Sequence, residues 1–184
     1  MSSPDFPRIV RLLMVLAVAG LTAGCFQPLY GDKATVGGPG IAERMKTVDV
    51  VPVKSAAGTR LQRVGIELRN EVIFGLTGGG APATPNYKLF ISIGSTNLQI
   101  IVDVTTARPD MQNYGIDASY QLIEVGTGKI VVTGTTFSRV SYNLPGQQQR
   151  FAGERGLRDA ENRAAQVIAE NIRSRLVSHF AAGT

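Results

Sequence analysis

YGIDASYQL, residues 114–122, places an apolar or aromatic side chain at every second position. Because alternate side chains of a β-strand point to opposite faces of a sheet, this period of two predicts a strand with one buried face and one solvated face. A sheet of this kind needs helices on its buried face only, and the flanking sequence predicts two of them.

The neighbouring strands lie on either side of this stretch. Residues 126–129, GTGK, predict a turn, which makes residues 130–142 the antiparallel partner in a hairpin. The same four residues suggest a phosphate-binding loop, but that motif opens a helix, whereas a strand follows here. On the other side, residues 87–104 predict one long strand with a bulge near Gly94 or Asn97.

Two amphipathic helices are predicted from apolar side chains that recur three and four residues apart. The first spans residues 60–76, with Thr59 as its cap, and glycines 78–80 end it. The second, C-terminal helix carries an apolar stripe with small residues at its centre, at Leu157, Ala160, Ala164, Val167, Ile168, Ile172 and Leu176. His179 lies near its end, where an imidazolium can favour the helix C-terminus.

The order of these elements predicts the fold class. Residues 46–53 are rich in β-branched side chains and predict a first strand. The complete order is strand-helix-strand-strand-strand-helix. It predicts an α+β fold in which two helices pack on one face of a mainly antiparallel four-stranded sheet. Residues 46–182 are expected to form this single domain.

Residues 1–24 have the organisation of a bacterial lipoprotein signal peptide. Arg8 and Arg11 precede an uncharged run, residues 12–21, that is too short to span a bilayer comfortably. The following LTAGC, residues 21–25, is similar to the lipobox of bacterial lipoproteins, although its leucine lies one position earlier than is usual. The alternative is an ordinary signal peptide with an incidental cysteine.

Cys25 is the sole cysteine of the chain. The lipobox resemblance implies that it carries a covalent S-diacylglycerol and N-acyl lipid, such as palmitate, and this lipid would anchor the protein to a membrane. Residues 25–45 are then a lipidated tether, whose Gly-rich part, residues 31–43, reads as a flexible loop. Phe26 stands where Asp commonly retains enterobacterial lipoproteins at the inner membrane, so the resemblance implies the periplasmic side of the outer membrane.

The composition argues against several classes of function. The chain has 19 basic and 14 acidic residues, and without the leader's Arg8, Arg11 and Asp5 it keeps a charge of +4 that forms no block of the kind that binds nucleic acid. One cysteine and one histidine leave no internal disulfide and no Cys/His cluster for a metal. Because no nucleophile elbow is present, we expect neither an enzyme nor a cofactor.

CFQPLYG, residues 25–31, resembles the opening of the mature lipopolysaccharide-assembly lipoprotein LptE, as it occurs in alphaproteobacteria. The element order resembles that family over essentially the whole chain. The resemblance implies a plug within the outer-membrane β-barrel LptD, which assists the barrel's assembly and binds lipopolysaccharide on its way to the outer leaflet. It implies no catalysed reaction.

The resemblance also implies binding residues for lipopolysaccharide. Family members carry basic residues in the loop between the second and third strands and just ahead of the final helix. By position these correspond to Arg108, in the loop TARPD at residues 106–110, and Arg150, with Arg139 as a weaker third candidate. Each of them is equally well explained as a solvated surface arginine.

Two other functions remain open from the sequence. The first is an accessory lipoprotein of an ABC-type lipid transporter, which would also be small, α+β and tethered to a membrane. The second is a periplasmic hydrolase, which needs a cleft with an activated nucleophile or an acid pair, and no motif of the sequence points to one.

Overall fold

The computed structural model describes residue 14 and residues 40–80, 84–103, 108–144 and 150–182 of the chain. For residues 99–103, 108–110 and 150 it describes the backbone only. Cys25 and most of the predicted signal peptide and tether therefore lie outside the described residues.

The predicted order of strands and helices is confirmed, with one helix added in front. The elements are α1 (Ile41–Lys46), β1 (Val48–Val50), α2 (Arg60–Thr77), β2 (Tyr87–Asp103), β3 (Arg108–Glu124), β4 (Ile130–Asn143) and α3 (Arg150–Ala181). Thr59 caps α2 as predicted, because its Oγ1 accepts a hydrogen bond from the backbone N–H of Gln62 at 3.2 Å. Gly78 ends α2 in the left-handed conformation, at φ +74°.

The sheet is four-stranded, in the order β1-β2-β3-β4. β2, β3 and β4 are antiparallel neighbours, whereas the short β1 runs parallel to β2. This parallel pair follows from the chain path, because α2 crosses from the end of β1 back to the start of β2. The α+β fold with a mainly antiparallel sheet is thus confirmed.

α1 was not among the predicted elements, and its residues 41–45 fell within the predicted tether. Ile41 and Met45 lie four residues apart on one side of this helix, and they are only 5% and 2% exposed. The helix packs against α2 and α3. Within the described residues, the packed part of the chain therefore already includes Ile41.

The irregularity in the pairing of β2 with β3 lies nearer the connection between these two strands than predicted. β2 and β3 remain in register from Tyr87, opposite Glu124, to Gln99, opposite Gln112. The register shifts only between Gln99 and Val102. The prediction of a bulge near Gly94 or Asn97 was therefore wrong, because neither residue interrupts the ladder.

α2 and α3 lie on the same face of the sheet, with α2 against β1 and β2 and α3 against β3 and β4. The core between them includes the fully buried side chains Val64, Leu68, Leu89, Ile116, Leu122, Ile168, Ile172 and Leu176. Ala160 and Ala164 are fully buried, which confirms their place on the predicted apolar stripe. Val167 was wrongly placed on the apolar stripe: it is 46% exposed, and Ala165 is buried instead.

The opposite face of the sheet is covered by no element within the described ranges, and we call it the open face. It carries small polar residues such as Ser119 and Thr135, and the ring of Phe137 is 67% exposed there. In the described part of the chain, no helix has the length and apolar character that a membrane crossing requires.

Candidate functional site

Two of the three arginines predicted to bind lipopolysaccharide lie at the same end of the sheet. Arg108 is the first residue of β3 and pairs with Asp103 of β2, so it begins a strand, whereas the sequence analysis placed it in a loop. Asn143 pairs with Met111, three residues further along β3, and α3 begins at Arg150 shortly after Asn143. We call this region, where β2 ends and β3 begins, the hairpin end. It contains the backbones of Arg108 and Arg150.

Arg139 lies apart from these two, on the open face. It pairs with Gly115, and its guanidinium reaches along β3 to Asp117 with an Nη2–Oδ1 distance of 2.8 Å. Nη1 also donates to the carbonyl of Ile116 at 3.1 Å, and the guanidinium carbon lies 5.5 Å from the centre of the Phe137 ring. This cation is therefore already paired and held flat against the sheet.

A cleft opens between the start of α2 and the first turns of α3, and we call it the arginine cleft. It has a volume of about 500 Å³, and its charged lining consists of Arg60, Arg63, Arg158, Glu67, Glu154 and Glu161. Gly156 lies between the lining residues Glu154 and Leu157 and is close to the end of β4, because an ideal Cβ on it would lie 3.5 Å from the carbonyl oxygen of Asn143. The cleft thus borders the hairpin end.

Glu161 is the central residue of the arginine cleft. Its side chain is fully buried, and one carboxylate oxygen, Oε2, accepts a hydrogen bond from Nη2 of Arg63. The other oxygen, Oε1, lies 3.7 Å from Nε of Arg60 and has no hydrogen-bond partner among the described residues. Since a buried acceptor without a partner is costly, Oε1 is a position where a further donor would be stabilised.

Tyr114 of β3 is buried within electrostatic reach of Glu161. Burial raises the pKa of its hydroxyl above the ordinary value of 10.0, and the negative charge of Glu161 raises it further. The phenol is therefore neutral at physiological pH and remains a hydrogen-bonding group.

No prediction from the sequence concerned Glu161, Arg60 or Arg63. A signal was present, because Glu161 lies four residues after Leu157 and three before Ala164 and so falls on the buried stripe of α3. A charged residue at such a position indicates a buried partner. Across the described ranges, no three His, Cys, Asp or Glu side chains gather in a way that could hold a metal ion.

Two solved structures resemble this fold. A protein from Caulobacter crescentus CB15, described as a lipoprotein, has a TM-score of 0.62 and 19% identity over 78% of this chain and 97% of its own. Uncharacterized lipoprotein B from Nitrosomonas europaea has a TM-score of 0.52 and 11% identity over 74% of this chain and 89% of its own. At these identities the likeness concerns the fold alone.

The sequence itself matches a family. No curated protein matches it significantly. The family model described as LptE, lipopolysaccharide-assembly, matches residues 45–176, which include every described strand and most of α3. This range covers more than two thirds of the chain. The chain therefore belongs to the LptE lipopolysaccharide-assembly family.

Proposed function

We propose that this protein is a lipoprotein of the outer membrane, anchored on its periplasmic side through lipid on Cys25. In this proposal it forms the plug and assembly subunit of an LptD-like β-barrel and passes lipopolysaccharide to the outer leaflet. Membership of the LptE family supports the proposal. It is also supported by the leader, because its ten-residue uncharged run and the cysteine that follows resemble those of a processed lipoprotein.

We further propose that lipopolysaccharide is bound at the hairpin end through Arg108 and Arg150. The observation that carries this assignment is their position: two residues 42 apart in the sequence begin β3 and α3 at the same end of the sheet. Guanidinium groups form bidentate hydrogen bonds with phosphate oxygens, so two of them at one end suit the phosphates of lipid A. Arg139 remains a third candidate, although its pairing with Asp117 leaves it less available.

Lipopolysaccharide binding by charge-reversed variants tests this assignment. Arg108→Asp combined with Arg150→Asp should weaken binding at physiological salt, while the melting temperature changes little. Arg175→Asp is the matched control, because Arg175 is an exposed arginine of the same helix and lies about 37 Å from Arg150 at 1.5 Å per residue. If the double variant bound as tightly as the control, the hairpin end would not be the binding site.

The second candidate function is an accessory lipoprotein of an ABC-type lipid transporter. It shares the lipid anchor and the small α+β domain, so the fold does not separate the two functions. The partner does separate them, because the accessory protein would purify with an inner-membrane or envelope-spanning transport complex and without a large β-barrel.

A further inference from the structure

We propose that the arginine cleft is a binding site for a phosphorylated sugar, separate from Arg108 and Arg150. The proposal rests on the proposed function in one respect only, since lipopolysaccharide contains phosphorylated sugars. Its grounds are the unpartnered oxygen of Glu161, the arginines around it and the shape of the cleft.

The carboxylate selects a ligand that carries a hydrogen-bond donor. Oε1 of Glu161 is buried and accepts no hydrogen bond from any described residue, although Arg60 lies 3.7 Å away. A hydroxyl or amino group entering the cleft would satisfy this oxygen. Inorganic phosphate carries one or two O–H groups at neutral pH, whereas a phosphorylated amino sugar adds several hydroxyl groups and an amino group.

The arginines favour a ligand that also has an anionic group. Among the described residues, Arg60 makes only two ion pairs, both at 3.7 Å, and donates no hydrogen bond. Arg158 is exposed, and it forms no ion pair with any other described residue. Their N–H groups therefore remain able to hold phosphate oxygens in bidentate pairs.

The charge of the cleft is compatible with one phosphate group. Among the described residues of its lining, three arginines accompany three glutamates, so their formal charges cancel. The contact between Arg60 and Glu154 is exposed and loose, with side chains 48% and 72% exposed. Because such surface pairs contribute little, a phosphate can replace Glu154 as the partner of Arg60 at low cost. The buried pair between Arg63 and Glu161 stays intact.

The shape of the cleft also fits a small ligand. Its volume of about 500 Å³ is within the range of small-molecule sites, and Thr59 and Gln62 add polar groups at its edge. The cleft begins at the N-terminus of α2, whose partial positive charge adds to that of the arginines.

The test uses the full-length lipoprotein in a non-ionic detergent and three water-soluble probes: glucosamine 1-phosphate, inorganic phosphate and glucosamine. Amide chemical shifts of Gly58, Thr59 and Gln62 report on the edge of the cleft. Glucosamine 1-phosphate should give saturable shifts, inorganic phosphate should bind more weakly, and glucosamine should bind weakest. The double variant Arg60→Gln, Arg158→Gln should bind glucosamine 1-phosphate with about tenfold lower affinity, as expected when charge-assisted hydrogen bonds are lost.

One matched control and one further test variant accompany this titration. Arg175→Gln, at the far end of α3, should bind like the wild type. Glu161→Gln should reduce the preference for glucosamine 1-phosphate over inorganic phosphate, and its melting curve shows whether the fold is kept. Absence of saturable shifts in the wild type, or unchanged affinity in the Arg60 and Arg158 double variant, would overturn the proposal.

The outcome is separable from that of the proposed function. A cleft that binds no sugar phosphate would leave the barrel partnership and the hairpin-end arginines unaffected. Conversely, if no barrel partner were found, saturable binding of glucosamine 1-phosphate would still define the site.

Discussion

Arg63 of α2 donates a hydrogen bond to Glu161 of α3, although the two residues lie 98 positions apart in the chain. The glutamate side chain is fully buried, while the arginine side chain remains 39% exposed. The two helices that cover the sheet are thus joined by an ion pair in which only the arginine is in contact with water.

Unequal exposure of this pair predicts unequal effects of its two substitutions. Arg63→Met leaves a buried carboxylate without its main partner and should lower the free energy of unfolding by about 3 kcal/mol. Glu161→Met leaves an arginine that water can solvate and should cost only about 1 kcal/mol. Chemical denaturation of both variants and of the double variant measures this. The double variant should be more stable than Arg63→Met alone; an additive loss would contradict the coupling.

Gly115 is the residue over which the Arg139 side chain lies. A Cβ there would come within 2.6 Å of Thr96 Oγ1 and 2.8 Å of Arg139 Cδ. Gly115→Ala should therefore displace Arg139 and destabilise the fold by about 2 kcal/mol, as overpacking commonly does. Gly94→Ala on the neighbouring strand is the control, because a Cβ there meets nothing within 4 Å. Equal unfolding free energies for the two variants would show that Arg139 is not held in this position.

His179 should make stability depend on pH. Burial lowers the pKa of its imidazole below the ordinary 6.5, and the positive charges of Arg175 and Arg44 lower it further. The folded state therefore binds fewer protons than the unfolded state, so stability is full above pH about 6.5 and falls as the solution becomes more acidic. Burial and the two arginines therefore oppose the favourable effect that the helix dipole has on an imidazolium at this helix end.

Unfolding free energies of the wild type and His179→Gln at pH 7.5 and 5.5 measure this dependence. The wild type should lose more stability on acidification than the variant does. Identical losses would mean that the pKa of His179 is the same in the folded and the unfolded protein.

Cys25→Ser should change where the protein is found more than how it folds. Without a thiol no diacylglycerol can be attached, so the variant should leave the membrane fraction, while the α+β domain keeps its melting temperature. Membrane fractionation measures the first effect. Mass spectrometry of the wild-type N-terminus should show lipid on Cys25, and an unmodified cysteine would refute the anchor.

Local patterns in the sequence predicted most of the fold. The alternation in residues 114–122 and the stripe of α2 require only a period of two or of 3.6, and both elements formed as predicted. α1 escaped prediction because six residues are too few for a visible period, and Ile41 is buried only through its contact with distant helices. The tertiary contacts that bury Glu161 are likewise absent from local sequence.

The candidate site was predictable only in part. The family resemblance pointed to Arg108, in a loop before the third strand, and to Arg150, just ahead of the last helix, and the structure has their backbones begin β3 and α3 at one end of the sheet. Arg60 and Arg63 looked like ordinary solvated residues of a helix. Their significance depends on Glu161, since a charge network between two helices is defined by packing and not by spacing along either one.

Affinity purification of the tagged full-length protein from detergent-solubilised outer membranes tests the central claim most directly. We predict that a large outer-membrane β-barrel co-purifies with it in near-equal amount, together with lipopolysaccharide. Recovery without any barrel, or with an inner-membrane ABC transport complex in its place, would contradict the account.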